Sequence, residues 1–217
     1  MKRLSLLLLA LLGFAPAPLA AAESPVLIEL FASQNCRACP KAHDTLKEVE
    51  SQRDDVLILT WSVDYWDYLG DKDPMAMSES EDRQRGYVDR FGLRGPYTPQ
   101  TVYNGTAQCA GNKPAKVNQT LDEMKSGSAG EVSLVHKAGG AELDGPVRGL
   151  TDIWFIDYLD GEDNTTDMIH PVTRVKELGP WLGGRTRLDL PECLSHCVLV
   201  VQEAGFGPVL ATLPLQP

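Results

Sequence analysis

An α/β fold followed by a small antiparallel β-sandwich or sheet is the architecture the sequence predicts, and three observations predict it. First, the apolar run Val26 to Phe31 leads through Cys36-Arg-Ala-Cys39 into a helical pattern. A second apolar run follows, Val56 to Val63, which makes a β-α-β unit with two thiols where strand hands over to helix. Second, Thr98-Pro99 opens a short strand that Asn104-Gly105 folds back as a hairpin. Third, beyond Ser126-Gly-Ser-Ala-Gly130 the helical patterns stop, and short strands separated by Gly, Asp and Pro clusters take over.

Residues 1–22 read as a secretory leader: a basic Met1-Lys-Arg3, an apolar stretch from Leu4 to Phe14, and small residues Ala20-Ala-Ala22 before Glu23. That stretch is short for a bilayer span, and no later one resembles a transmembrane helix. The mature chain is therefore expected to be soluble and periplasmic or secreted, where disulfides are permitted. It divides into 23–126, carrying the thiol pair, and a β-rich part, 127–217. The formal net charge of −10 becomes −12 without Lys2 and Arg3, which disfavours nucleic acid as a partner. Five cysteines, an odd number, leave at least one thiol free or paired externally.

The first strand runs from Val26 to Ala32, and the helix begins near Cys36. Unpaired N–H groups at a helix N-terminus favour a thiolate over a thiol. The two-residue spacing brings both sulfurs within bridging range. Cys36 is the outer, attacking sulfur and Cys39 the resolving one, with Arg37 and Lys41 lowering the Cys36 pKa. Pro40 falls where its missing N–H has no cost. His43 lies one turn past Cys39 and two past Cys36, so the three can share a face and His43 can tune the pair. A static disulfide and half of a metal site are the other readings of the C-x-x-C, although no second C-x-x-C completes a zinc site. Asp64-Tyr-Trp-Asp-Tyr-Leu-Gly-Asp-Lys-Asp-Pro74 follows the second strand, at the end where open α/β sheets gather ligands. It reads either as a substrate-facing lip, with Tyr65 and Trp66 as contacts, or as rings covering the core edge. Ser78 to Phe91 reads as a polar helix with a Ser78/Glu81 capping box. Lys113 to Met124 is an amphipathic helix.

The order β-(C-x-x-C)α-β-α-(Thr-Pro)β-β-α resembles the thioredoxin fold. Three stretches, Glu29 to Pro40, Val63 to Pro74 and Tyr97 to Gly105, together resemble the bacterial thioredoxin-like family called domain of unknown function 1223. Val175 to Gly183 resembles it more loosely. The resemblance implies a cis proline at Pro99 beside the C-x-x-C, with the backbone at Thr98 contacting an extended substrate. Asn35 stands where thioredoxin itself has tryptophan. Lys41 and His43 stand where family members usually carry a second proline and an aspartate.

In the C-terminal part, strands are expected at Glu131–His136, Thr151–Leu159, Arg185–Leu190, Cys197–Glu203 and Val209–Leu213. Asp160-Gly-Glu-Asp-Asn164 reads as a solvated hairpin loop. Cys193-Leu-Ser-His-Cys197 has three readings: a local disulfide, a soft metal site with His196, or pairing of one cysteine with Cys109. Cys109 itself reads as a small buried hydrophobe. His136 and His170 read as surface or satisfied histidines.

These residues point to an exported thiol–disulfide oxidoreductase acting on protein or small-molecule thiols, with no cofactor and no resident metal. One alternative is a periplasmic copper or zinc protein using Cys36, Cys39 and His43, or Cys193, His196 and Cys197. The other is a non-catalytic binding module contacting its partner through Asp64–Pro74. Arg-Ala between the cysteines does not decide among oxidase, reductase and isomerase.

Overall fold

Apolar residues on both faces of two adjacent strands fix the centre of the molecule. The computed structural model describes residues 24–124 and 131–215; the expected leader at 1–22 and the stretch 126–130 lie outside them. Strand β1 (Val26–Ala32) pairs in parallel with β2 (Val56–Ser62), and antiparallel with β3 (Gln100–Tyr103). Strand β4 (Ala107–Ala110) closes the hairpin, so the sheet runs β2-β1-β3-β4. Helix α1 (Cys39–Gln52) joins β1 to β2; α2 (Ser78–Arg90) and α3 (Pro114–Met124) follow in order.

Among the described residues from 131 onward every strand pair is antiparallel. Strands β5 (Ser133–Lys137), β6 (Gly140–Asp144) and β9 (Thr186–Leu188) form one sheet, ordered β5-β6-β9. Strands β7 (Thr151–Tyr158), β8 (Val172–Trp181), β10 (His196–Glu203) and β11 (Val209–Leu215) form the other, ordered β11-β10-β7-β8. Strands β6 and β8 were not anticipated. Strand β8 lies at a sheet edge, where charged residues and Pro180 are tolerated, so its sequence lacks a buried strand's apolar run. Strand β6 is short, and only Ala141 and Leu143 mark its core face.

Alternation along β1 explains the layering. Ile28 and Leu30 pack under α1 and α3 with Ala42, Leu46, Val117 and Leu121. Leu27 and Phe31 point the other way and join Leu59, Trp61, Ile156, Val198 and Val200. Strand β10 repeats the device: Val198 and Val200 meet the first sheet, while Leu199 and Val201 pack with Leu143, Ile153 and Phe155. Strands buried on both faces read as continuous apolar runs. Backbone bonds also cross between the parts: the Thr60 N–H donates to His170 O and the Val209 N–H to Asn104 O, both at 2.9 Å.

Two helix starts differ from expectation. Helix α1 begins at Cys39, and Cys36 occupies the preceding turn, where its N–H donates to Ser33 O at 3.1 Å. The capping box at Ser78 does not form. Ser78 is already the first helical residue, the N-cap is Met77 without a side-chain bond, and the Ser78 hydroxyl donates to Glu79 at 3.0 Å. Among the described residues no helix is long and apolar enough to cross a membrane.

Candidate functional site

Strand β1 delivers the chain into a polar segment, Ser33-Gln34-Asn35, and then into the thiol pair. Cys36 and Cys39 are joined as a disulfide with Cα atoms 5.4 Å apart, inside the usual range for a bridge. Both cysteines are buried, Cys36 at 6% and Cys39 at 1% exposure, and both pack in the cluster beneath α1. Pro40 occupies the first helical turn, and Arg37 and Lys41 lie exposed around the pair. His43 is buried, and its Nδ1 accepts the Ile169 N–H at 3.3 Å. Burial, helped by Lys47, pushes its pKa down to about 4, so the ring is neutral at ordinary pH.

The loop after β2 is fastened to the polar segment leading to Cys36. Gln34 Nε2 donates to Asp71 O at 3.1 Å and to Lys72 O at 2.8 Å, and Asn35 Nδ2 donates to Asp71 O at 2.8 Å. Beneath them the buried carboxylate of Asp73 accepts the Gln34 N–H at 2.8 Å, the Ser62 hydroxyl at 2.7 Å and the Met75 N–H at 3.0 Å. Gly70 closes against Asn35: an added Cβ would lie 2.5 Å from Asn35 Oδ1.

The same loop reaches the Thr98-Pro99 peptide, which is cis. Trp66 Nε1 donates to Thr98 Oγ1 at 2.8 Å, and the Tyr65 hydroxyl donates to Gln84 Oε1 at 3.3 Å. Gln84 Nε2 in turn donates to Tyr97 O at 2.9 Å and to Gln100 Oε1 at 3.0 Å, so α2 braces the segment before β3. Burial pushes the Tyr65 hydroxyl up to about 12, which keeps it protonated. Tyr65 and Trp66 are half-buried with their polar atoms engaged, whereas Tyr68 and Leu69 stand 75% and 56% exposed. The sequence offered Asp64–Pro74 as a whole as a contact surface but did not single out Tyr68–Leu69 within it, nor the bracing roles of Gln34, Asn35, Asp73 and Gln84. A further signal was the polarity of Ser33-Gln34-Asn35, which is unusual for a link between a buried strand and a helix.

The remaining cysteines separate cleanly. Cys193 and Cys197 are joined, with Cα atoms 5.8 Å apart, and line a cavity of about 260 Å³ with His136, Phe155, Leu190 and Leu215. Cys109 is free and buried, its sulfur 3.4 Å from both Thr101 Oγ1 and the Tyr103 hydroxyl. It takes no part in a cross-link with Cys193 or Cys197. His196 Nδ1 meets the Ser195 hydroxyl at 3.2 Å. Among the described residues no group of three or more His, Cys, Asp or Glu side chains is arranged to hold a metal ion. His170 is buried, its Nδ1 3.0 Å from Ile58 O and its Nε2 3.2 Å from Asp160; His136 is exposed.

None of the curated proteins matches this chain. Among solved structures, protein AGR_C_4864 from Agrobacterium tumefaciens is similar at 28% identity and a TM-score of 0.75, over 91% of this chain and 96% of that one. HBP35 of Porphyromonas gingivalis shares the fold at 12% identity and a TM-score of 0.56, over 89% of this chain and 75% of that one. The family model described as protein of unknown function (DUF1223) matches residues 27–192. That span holds both Cys36 and Cys39, the Asp64–Pro74 loop and Thr98-Pro99, and the chain belongs to this family.

Proposed function

We propose that this chain is an exported thiol–disulfide exchange protein, and that β2-β1-β3-β4 with α1 forms a thioredoxin-like unit acting through Cys36 and Cys39. The observation that carries the reading is the Cys36–Cys39 disulfide at the mouth of α1, with Cys39 the first helical residue and Cys36 in the turn before it. A substrate thiolate attacks Cys36 Sγ. The Cys36–Cys39 bond breaks, and Cys39 leaves as a thiolate that takes a proton from water. A second substrate thiolate then attacks the substrate sulfur of the mixed disulfide and releases Cys36. A substrate dithiol is thereby oxidised by two electrons while the protein disulfide becomes two thiols, and the reverse sequence reduces a substrate disulfide. The positive end of the α1 dipole stabilises the Cys36 thiolate, and the exposed Arg37 and Lys41 add to the same field. The backbone at Thr98-Pro99 holds the substrate chain, and Trp66 fixes Thr98.

The test is a titration of the mature protein in glutathione buffers, read by alkylation and peptide mass spectrometry. Reversible titration of Cys36–Cys39 between about −120 and −270 mV supports exchange, and its value separates oxidant from reductant. A pair still oxidised below about −300 mV is a structural staple, and the reading falls. With exchange intact, Cys36→Ser abolishes turnover and Cys39→Ser accumulates a mixed disulfide.

A further inference from the structure

Tyr68 and Leu69 are the adjacent pair among the exposed large hydrophobic residues described; Leu150, Leu182 and Leu194 stand singly. Exposed apolar side chains on a slack loop would mean little. These two sit on a single 3-10 turn, Asp67–Leu69, whose surroundings are held at several points. The Asp67 N–H donates to Asp64 O at 2.8 Å, and the Leu69 N–H to Trp66 O at 2.9 Å. Asp67 Oδ1 accepts the Asp73 N–H at 3.1 Å, and Gln34 and Asn35 clamp the following residues. Trp66 stacks on Tyr68 with ring centroids 6.1 Å apart, and its other end is tied to Thr98. A rigid apolar step is thus joined by direct bonds to the segment before Cys36 and to the residue before Pro99.

Its exposed charge is mainly negative: of the four aspartates in residues 64–74, Asp73 is buried and Asp67 half-buried, and Asp64 and Asp71 stand exposed with Lys72. Rigid aromatic and aliphatic side chains supply contact area at little entropic cost, and a carboxylate rim selects partners by sign. We propose that Tyr68 and Leu69 form the docking step for a polypeptide substrate. The occupant is an extended segment in which the exchanging cysteine is accompanied by one apolar side chain, seated on Tyr68 and Leu69, and one basic side chain facing Asp64 and Asp71. The inference rests on the exchange reading and narrows its substrate class from thiols in general to apolar, basic peptides.

The experiment uses the full mature chain in its oxidised form. Reduction of Cys36–Cys39 is followed by tryptophan fluorescence with glutathione and with three synthetic cysteine peptides. One peptide carries a leucine and a lysine beside the cysteine, the second replaces the leucine by serine, and the third replaces the lysine by glutamate. The leucine–lysine peptide should react at least about tenfold faster than either control, as expected when a small cluster dominates binding. Raising salt should shrink only the lysine-against-glutamate difference. The double variant Tyr68→Ser/Leu69→Ser should erase the leucine advantage and leave the glutathione rate within about twofold, since neither side chain is in the core. A double variant that keeps the leucine preference, or three peptides reacting alike, overturns the docking step. Failure of glutathione itself to reduce the pair overturns the exchange reading instead, and the inference with it.

Discussion

Packing sets the protonation state of His43. The ring is buried, and its Nδ1 must stay unprotonated to accept the Ile169 N–H at 3.3 Å. In the unfolded chain the imidazole titrates near 6.5, in the fold near 4, chiefly through desolvation. Between those values the unfolded state binds the extra proton. Stability from this group is therefore complete above about pH 6.5 and declines as pH falls toward 4, by up to about 3 kcal/mol. Urea unfolding at closely spaced pH values should show that decline, and His43→Leu should flatten this part of the slope. The variant also leaves the Ile169 N–H without its acceptor, a loss of about 1–3 kcal/mol at every pH, so slope rather than absolute stability is the readout. An unchanged slope would assign the acid sensitivity to other groups. The spacing of Cys39 and His43 made their shared helix face legible in the sequence. It could not show that the face turns inward against Ile169, which is 126 residues away.

Helix α2 poses the same problem for a whole element. Its sequence, SESEDRQRGYVDR, has little apolar stripe, yet Arg83, Gln84 and Tyr87 are buried. It docks through charge. Arg83 pairs with the fully buried Glu29 of β1, and the Tyr87 hydroxyl donates to the same carboxylate. Arg83 Nη2 also donates to Gln202 of β10 at 2.9 Å. The guanidinium lies 5.0 Å from the Trp61 ring and 5.5 Å from Phe206, a cation–π arrangement suited to arginine. Arg83→Met strands the Glu29 charge and should cost about 3–5 kcal/mol in urea unfolding. Glu29→Gln added to Arg83→Met removes the stranded charge, so the pair should cost less than the sum of the singles by at least about 1 kcal/mol. Additive losses would mean that the ion pair does not dock the helix. In the sequence Glu29 appears only as an interruption of an apolar strand, and α2 only as a polar helix. Each oddity explains the other, but they are 54 residues apart and no local period connects them.

At the scale of the molecule, most elements were legible wherever strands are buried on both faces or a helix has one apolar stripe; β1, β2, α3, β7 and β10 are of this kind. Legibility failed at the edge strand β8 and the short β6, where burial leaves little imprint on sequence. It also missed the joint between the two parts of the chain. Ser126 to Gly130 divides the sequence pattern, but packing unites what lies on either side. Leu27, Phe31, Leu57, Leu59 and Trp61 share one cluster with Ile156, Tyr158, Val172, Val198 and Val200. Gln202 completes the Arg83 site, donating to Tyr87 OH at 3.0 Å and to Gly207 O at 2.8 Å. A chain ending at residue 126 would expose the apolar face of β1 and β2 and leave Arg83 without one of its partners. Exposed faces of that size drive aggregation rather than folding. Residues 23–126 alone should therefore show no cooperative urea transition and no near-ultraviolet signal from Trp61, while residues 23–217 unfold in one step. The thiol pair would then depend on the β-rich part for its scaffold. A sharp transition in the fragment, with Cys36–Cys39 titrating as in the full chain, would instead make the first unit autonomous and leave the C-terminal sheets free for a separate role.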